Sequence, residues 1–184
     1  YMGIGESHIR IDVRQTGNVR KIAGEVTEDI GHDNRVRDYV LMETGSYRTI
    51  LQNGSSYDLM IENGDHSRFP VRYTEGRYPE NDREIALSVL NAEEMGVKLG
   101  DEIIVCKEMK DGTAEEISCS VCGIYSDITN GGKTAKARMK DPDDATPVMW
   151  SIIYLSLSDE DLTREWTKEY QDRYSSFESG VKVT

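Results

Sequence analysis

The 184-residue chain predicts a mixed α+β fold: a split β-α-β sandwich of two β-α-β units, carrying a β-rich insert lobe with one short helix and a Gly-Asp turn. Two observations bracket the sandwich: one β-α-β pattern fills residues 1–45, and a second fills 147–184. The third is that residues 46–146 read as short strands cut by turn dipeptides. The predicted division is therefore a discontinuous α/β lobe of 1–45 plus 147–184, with 46–146 inserted.

Residues 8–13 alternate with period two, as a half-buried strand does. Val19, Ile22, Ala23, Val26 and Ile30 then share one helical face. Thr16 or Asn18 can cap that helix, and Gly31 suits a left-handed turn at its end. Residues 36–43 read as the second strand of the unit. Turns are predicted at Asn53-Gly54, Asn63-Gly64, Glu75-Gly76 and Asp111-Gly112. Ser88 caps a short helix that carries Val89, Leu90, Ala92 and Met95 and stops at Gly96. Residues 103–108 and 115–125 form a hairpin about the Asp-Gly turn, followed by a polar loop over 126–146. In the closing unit, 147–157 is a buried strand and Ser158 with Asp161 starts a helix. Leu162, Trp166, Tyr170 and Tyr174 form that helix's apolar stripe, and Val181 and Val183 alternate as a last strand after Gly180.

Lys and Arg number 22 against 34 Asp and Glu, a formal charge of −12, so a binder that works by neutralising nucleic-acid phosphates is excluded. The apolar fraction of 37%, with 10 Tyr, 2 Trp and 2 Phe, is too high for a disordered acidic tail. The longest unbroken apolar runs are four residues, against the roughly 20 a spanning helix needs. No signal-peptide pattern opens the chain, and its ends, Tyr1 without a preceding Met and a strand-like Gly180–Thr184, lead us to expect a segment of a longer protein. The acidity concentrates in the insert: residues 46–145 hold 12 basic and 19 acidic side chains, against 6 and 8 in 1–45 and 4 and 7 in 146–184. A cationic partner for that lobe is one expectation, and the long loop 126–146 is the candidate surface for an extracytoplasmic partner or substrate.

No motif points to catalysis, a metal or a cofactor, and none is expected. Cys119-Ser-Val-Cys122 sits in strand-like sequence without the other half of a zinc site or a helix N-terminus, so the three cysteines are expected to be small apolar residues. A Cys106–Cys119 disulfide would require the hairpin register to set the two opposite each other. Gly132-Lys133-Thr134 has Asp127 where a phosphate loop needs Gly. The Asp141, Asp143, Asp144 run lacks the Gly and Glu of a calcium loop. His8, His32 and His66 are isolated from one another and are expected at the surface or at strand ends.

Two stretches stand out together: Gly76-Arg77-Tyr78-Pro79 leading to Glu84-Ile85-Ala86-Leu87-Ser88, and Gly96-Val97-Lys98-Leu99-Gly100-Asp101-Glu102-Ile103 leading to Val121-Cys122-Gly123-Ile124. This pattern resembles the MacB-like extracytoplasmic domain of FtsX/MacB-type ABC transporter permeases, itself a β-α-β sandwich with a β-rich insert. The resemblance makes Gly76, Arg77, Pro79, Glu84, Gly96, Gly100, Asp101 and Gly123 fold-signature residues and carries over no catalytic or ligand-binding position. It implies a non-catalytic domain on the outer face of the membrane, joined to transmembrane helices of the same parent chain and partnered by a cytoplasmic ATPase. It would couple ATP-driven motion to movement of a lipid, lipoprotein, peptide or drug, with a hinge near Thr44–Tyr47 and Ala145–Pro147. A free-standing cell-surface binding module and a small hydrolase are the alternatives.

Overall fold

The structure is a computed structural model and describes residues 9–14, 18–109, 111–127, 132–140, 148–175 and 180–184. In chain order the elements are β1 (Ile9–Arg14), α1 (Val19–Gly31), β2 (Val36–Ile50), β3 (Ser56–Asn63), β4 (Tyr73–Gly76), β5 (Glu84–Ser88), α2 (Val89–Met95), β6 (Glu102–Glu108), β7 (Ala114–Tyr125), β8 (Ala135–Ala137), β9 (Trp150–Leu157), a 3-10 turn (Glu160–Leu162), α3 (Thr163–Tyr174) and β10 (Val181–Val183). The described residues fall into two compact units, 9–43 with 148–184 and 44–140. β2 is a single strand over Val36–Ile50.

In the first unit the strand order is β10-β1-β9-β2. β1 is antiparallel to both neighbours, with Ile11 opposite Val183 on one side and Ile153 on the other. Alternation sends Ile9 and Ile11 of β1, and Ile153, Leu155 and Leu157 of β9, to one face. There they form a single apolar cluster with Val26 and Ile30 of α1 and Trp166, Tyr170 and Tyr174 of α3, so both helices cover that face.

The α3 stripe is an aromatic ladder. Trp166 stacks on Tyr170 with ring centroids 3.7 Å apart, and Tyr174 follows at 5.8 Å. Its polar atoms are satisfied by the turn after α1. Asp33 Oδ2 accepts from Trp166 Nε1 at 2.9 Å and from the Tyr170 hydroxyl at 2.8 Å, while the Tyr174 hydroxyl donates to Asp29. Arg35 closes the knot with two side-chain bonds and one backbone bond to Asp33, and reaches Glu169 on α3.

Two end signals work differently from the sequence reading. α1 runs through Gly31 and ends at His32 in right-handed backbone, so Gly31 is not a left-handed stop. The start before α3 is capped by Asp159, whose side chain accepts from the Asp161 amide; the Ser158 amide instead donates to the Arg35 carbonyl. Gly24, in mid-α1, would meet nothing within 4 Å if it carried a Cβ. Gly24→Ala should therefore stabilise the chain by about 0.5–1 kcal/mol, read as a raised thermal midpoint.

The second unit is a small barrel. β2 pairs β3, β3 pairs β8, β8 pairs β5, β5 pairs β7, β7 pairs β6, and β6 returns to β2, so six strands close on themselves. Closure removes the exposed edges that an open sheet of these strands would leave. The interior holds Leu59, Ile61, Ile85, Leu87, Ile103, Val105, Val121, Ala135 and Ala137, capped by Ala92 and Met95 of α2. α2 follows its expected signals: the Ser88 side chain accepts from the Asn91 amide, and Gly96 is left-handed. Its Leu90 faces outward rather than inward.

In the β6–β7 register Cys106 lies opposite Glu116 and Cys119 opposite Ile103, so the cysteines do not meet and all three are free, as expected. Two expectations are corrected here. Glu75-Gly76 ends strand β4 instead of forming a turn. The expected loop 126–146 contains β8, whose three buried residues join β3 to β5 and complete the barrel. The Asp141, Asp143 and Asp144 run, His8, Thr16 and Ala145–Pro147 lie outside the described residues.

Candidate functional site

Most of the signature residues meet on one stretch of β7. Up to Val121, β7 lies beside the start of β6: the Gly100 amide donates to the Val121 carbonyl, and the Val121 amide to the Asp101 carbonyl. From Cys122 onward its neighbour is β4, with the Arg77 amide donating to the Cys122 carbonyl and Gly76 opposite Gly123. On its other side β7 carries a bulge at Cys122, because Ile85 pairs with Val121 but Ala86 with Gly123. β7 changes partner within three residues, and the two glycines allow it. A Cβ on Gly76 would lie 2.1 Å from the Cys122 carbonyl oxygen, and one on Gly123 would lie 2.2 Å from the Arg77 carbonyl oxygen.

The remaining members brace this crossing. Arg77 forms a two-pronged ion pair with Glu84 at the start of β5, one prong at 3.0 Å, and also donates to the Tyr78 carbonyl. Glu84 accepts from the Glu80 amide, and Pro79 is buried. Asp101 Oδ2 accepts from the Lys98 amide at 2.8 Å, closing the Gly-Asp turn. Gly96 sits apart, as the end of α2. The Cys122 thiol inside the crossing points at the Arg77 and Ile85 carbonyls, and burial pushes it up to about 11; Cys119 is raised likewise to about 11. Both remain thiols at neutral pH, a poor basis for redox or metal chemistry.

A second constellation lies at the β3–β8 seam, and sequence reading missed it. His66, expected at the surface or at a strand end, follows the end of β3 but is only 4% exposed, whereas His32 is exposed. Its Nε2 lies 2.9 Å from the Glu62 carbonyl and 3.1 Å from the Ala137 carbonyl. Carbonyls only accept, so Nε2 carries the proton. Lys136, also buried, reaches Glu62 at 2.8 Å and lies 5.2 Å from the centre of the Tyr125 ring. The Tyr125 hydroxyl meets Thr134, which donates to Asp127. Among the described residues no group of three or more His, Cys, Asp or Glu side chains is placed to hold a metal.

The chain thus has a mixed α+β fold in which a helix-covered sheet is interrupted by a closed barrel. No family model matches the sequence. No curated protein matches it either. Solved structures do match the fold. The periplasmic region of MacB from Actinobacillus actinomycetemcomitans superposes with a TM-score of 0.61 at 12% identity, covering 99% of this chain and 90% of that one. The extracellular domain of the noncanonic ABC-type transporter YknZ from Gram-positive bacteria gives 0.56 at 13% identity, covering 96% of this chain and 98% of that one. The chain has the fold of these extracytoplasmic transporter domains, as the Gly-Arg-x-Pro and Gly-Asp stretches implied. Among the described residues no helix is long and apolar enough to cross a membrane.

Proposed function

We propose that the chain is the extracytoplasmic domain of an ABC transporter permease, carried on transmembrane helices of its parent chain and driven by a cytoplasmic ATPase. The domain would be non-catalytic, coupling membrane motion to export or extraction of a lipid, lipoprotein, peptide or drug. The carrying observation is that the fold likeness to two such domains spans nearly the whole of this chain and of theirs. The barrel supports a mechanical role. It is closed, its glycine crossing is braced by backbone bonds and an ion pair, and the Cys119 and Cys122 thiols are held protonated. We read the first unit as the split β-α-β sandwich of a two-lobed lever, with the barrel as the inserted lobe and the surface around 126–146 as its partner contact. The signature residues would then serve the lobe's stiffness, not its chemistry.

The test is the sidedness of Glu116, which is exposed on β7. Glu116→Cys, in a parent chain whose own cysteines are replaced, should be labelled in intact cells by a membrane-impermeant maleimide. The labelled chain should stay in the membrane after a carbonate wash. Labelling only after lysis would overturn the reading; labelling of a chain that washes free would favour the surface module.

A further inference from the structure

β8 is a three-residue strand that closes the barrel, parallel to β3 on one side and antiparallel to β5 on the other. So short a strand contributes few ladder bonds, and side chains hold it. Asn63 exchanges two bonds with Met139, the Met139 amide to Oδ1 at 2.6 Å and Nδ2 to the Met139 carbonyl at 3.1 Å. Asn91 Nδ2 donates to the Thr134 carbonyl. Lys136 reaches back to Glu62. His66, from the turn after β3, ties its own strand to β8 by sharing its Nε2 proton between the Glu62 and Ala137 carbonyls.

The charged and titratable groups facing this imidazole are few. β3 supplies the Glu62 carboxylate, 4.0 Å from Nδ1 and already paired with Lys136. β8 supplies the Lys136 ammonium. Behind that ammonium, 5.2 Å away, lies the buried ring of Tyr125 on β7, with Tyr73 of β4 packed edge-on against it. At the rim, Asp65 of the same turn holds Arg68 and Arg138. A proton on His66 would set two buried cations beside the Glu62 carboxylate. The turn also stores backbone strain: Phe69, three residues on, has φ +50°, which bulky side chains rarely adopt.

We propose that His66 is an acid-sensitive clasp whose protonation releases β8 and opens the barrel along the β3–β8–β5 seam. Burial pushes the closed imidazole down to about 4, helped by the Lys136 ammonium and opposed by Glu62. An opened, solvated ring titrates near 6.5. Between those values the open form binds the proton and the closed form does not, so closure weakens as pH falls through that window and is at full strength above it. The inference stands on the packing of the barrel and does not depend on the transport reading.

Hydrogen exchange of the whole chain, corrected for intrinsic rates, tests it. Protection of the amides in 134–139 should fall about 20-fold between pH 7 and pH 5. The β6–β7 hairpin should change far less. His66→Gln, whose amide can still donate to the two carbonyls but takes up no proton, should remove the pH dependence. The native ring gives a second reading that needs no variant: its NMR titration should fall well below 6.5 and move the 135–137 amides with it. Protection that is flat with pH, an equal fall in the Gln variant, or a ring titrating near 6.5 would each overturn the clasp.

Discussion

Gly123→Ala should cost the barrel about 3 kcal/mol or more, on the scale of severe overpacking against a fixed backbone. The added methyl would sit 2.2 Å from the Arg77 carbonyl oxygen and 2.8 Å from Tyr73 Cδ1. The ring edge could rotate away. The carbonyl cannot readily follow, because the Arg77 amide is bonded to Cys122, its guanidinium is clamped on Glu84, and the Cys122 thiol approaches the same oxygen at 3.4 Å. Relief would require β4 and β7 to separate where β7 exchanges one partner for another, and both backbone bonds of that exchange would be at risk. Gly76→Ala should do at least as much harm. Its methyl meets the Cys122 carbonyl oxygen at 2.1 Å, and the residue sits at φ +65°. Gly112→Ala is the control: its φ is +86°, yet a Cβ there meets nothing within 4 Å, so only the left-handed penalty of about 1 kcal/mol applies. Urea denaturation followed by exchange protection in β5 and β7 measures all three. A loss below 1 kcal/mol for Gly123→Ala would mean that the crossing is not rigid.

What could be read from the sequence was what is settled within a few residues. The Ser88 cap and Gly96 stop fixed α2, the Asp-Gly turn fixed the β6–β7 hairpin, and the four-residue spacing of Trp166, Tyr170 and Tyr174 marked a buried stripe, because caps, turns and periodicity act locally. β8 was hidden because Ala-Lys-Ala carries no strand signal. Its burial comes from β3 and β5, some 50 to 75 residues earlier in the chain. The strand-end position of His66 could be read, but not its burial, because a strand 71 residues away packs over it. Whether Cys106 and Cys119 could meet was left to the hairpin register, which the turn sets and composition does not, and that register keeps them apart. Gly76 and Gly123 stood out by resemblance, yet the reason for two glycines is a contact between residues far apart in the chain. The signature residues marked a place where backbone needs room, and they left the polar seam of the barrel unannounced.

Asp33→Ala should be the most damaging single change in the helix-covered unit, at about 3–5 kcal/mol. Asp33 accepts five bonds at 2.8–3.0 Å: from the Arg35 amide, Nε and Nη2, from Trp166 Nε1 and from the Tyr170 hydroxyl. Trp166 and Tyr170 are 0% and 1% exposed, so removing the carboxylate leaves two buried donors without their acceptor. Asp33→Asn separates charge from shape. Both oxygens are acceptors to several donors, so an amide nitrogen at either position faces a donor, and the Asn variant should recover little of the loss. The five donors also hold the carboxyl well below its usual range, led by the Arg35 side chain. A depressed carboxyl contributes stability above its unfolded pKa and loses it as pH falls further, so this knot stays intact at pH 5 and weakens only below about 4. His66 acts in the same sense in a higher window, losing its contribution from about 6.5 downward and having lost it by about 4. Acidification should therefore loosen β8 while the Trp166 indole proton remains protected, followed in one NMR titration by the 135–137 amides and the Trp166 Nε1–H signal. Loss of the indole signal first would show that Asp33 is not the anchor of α3, whatever the fate of the clasp.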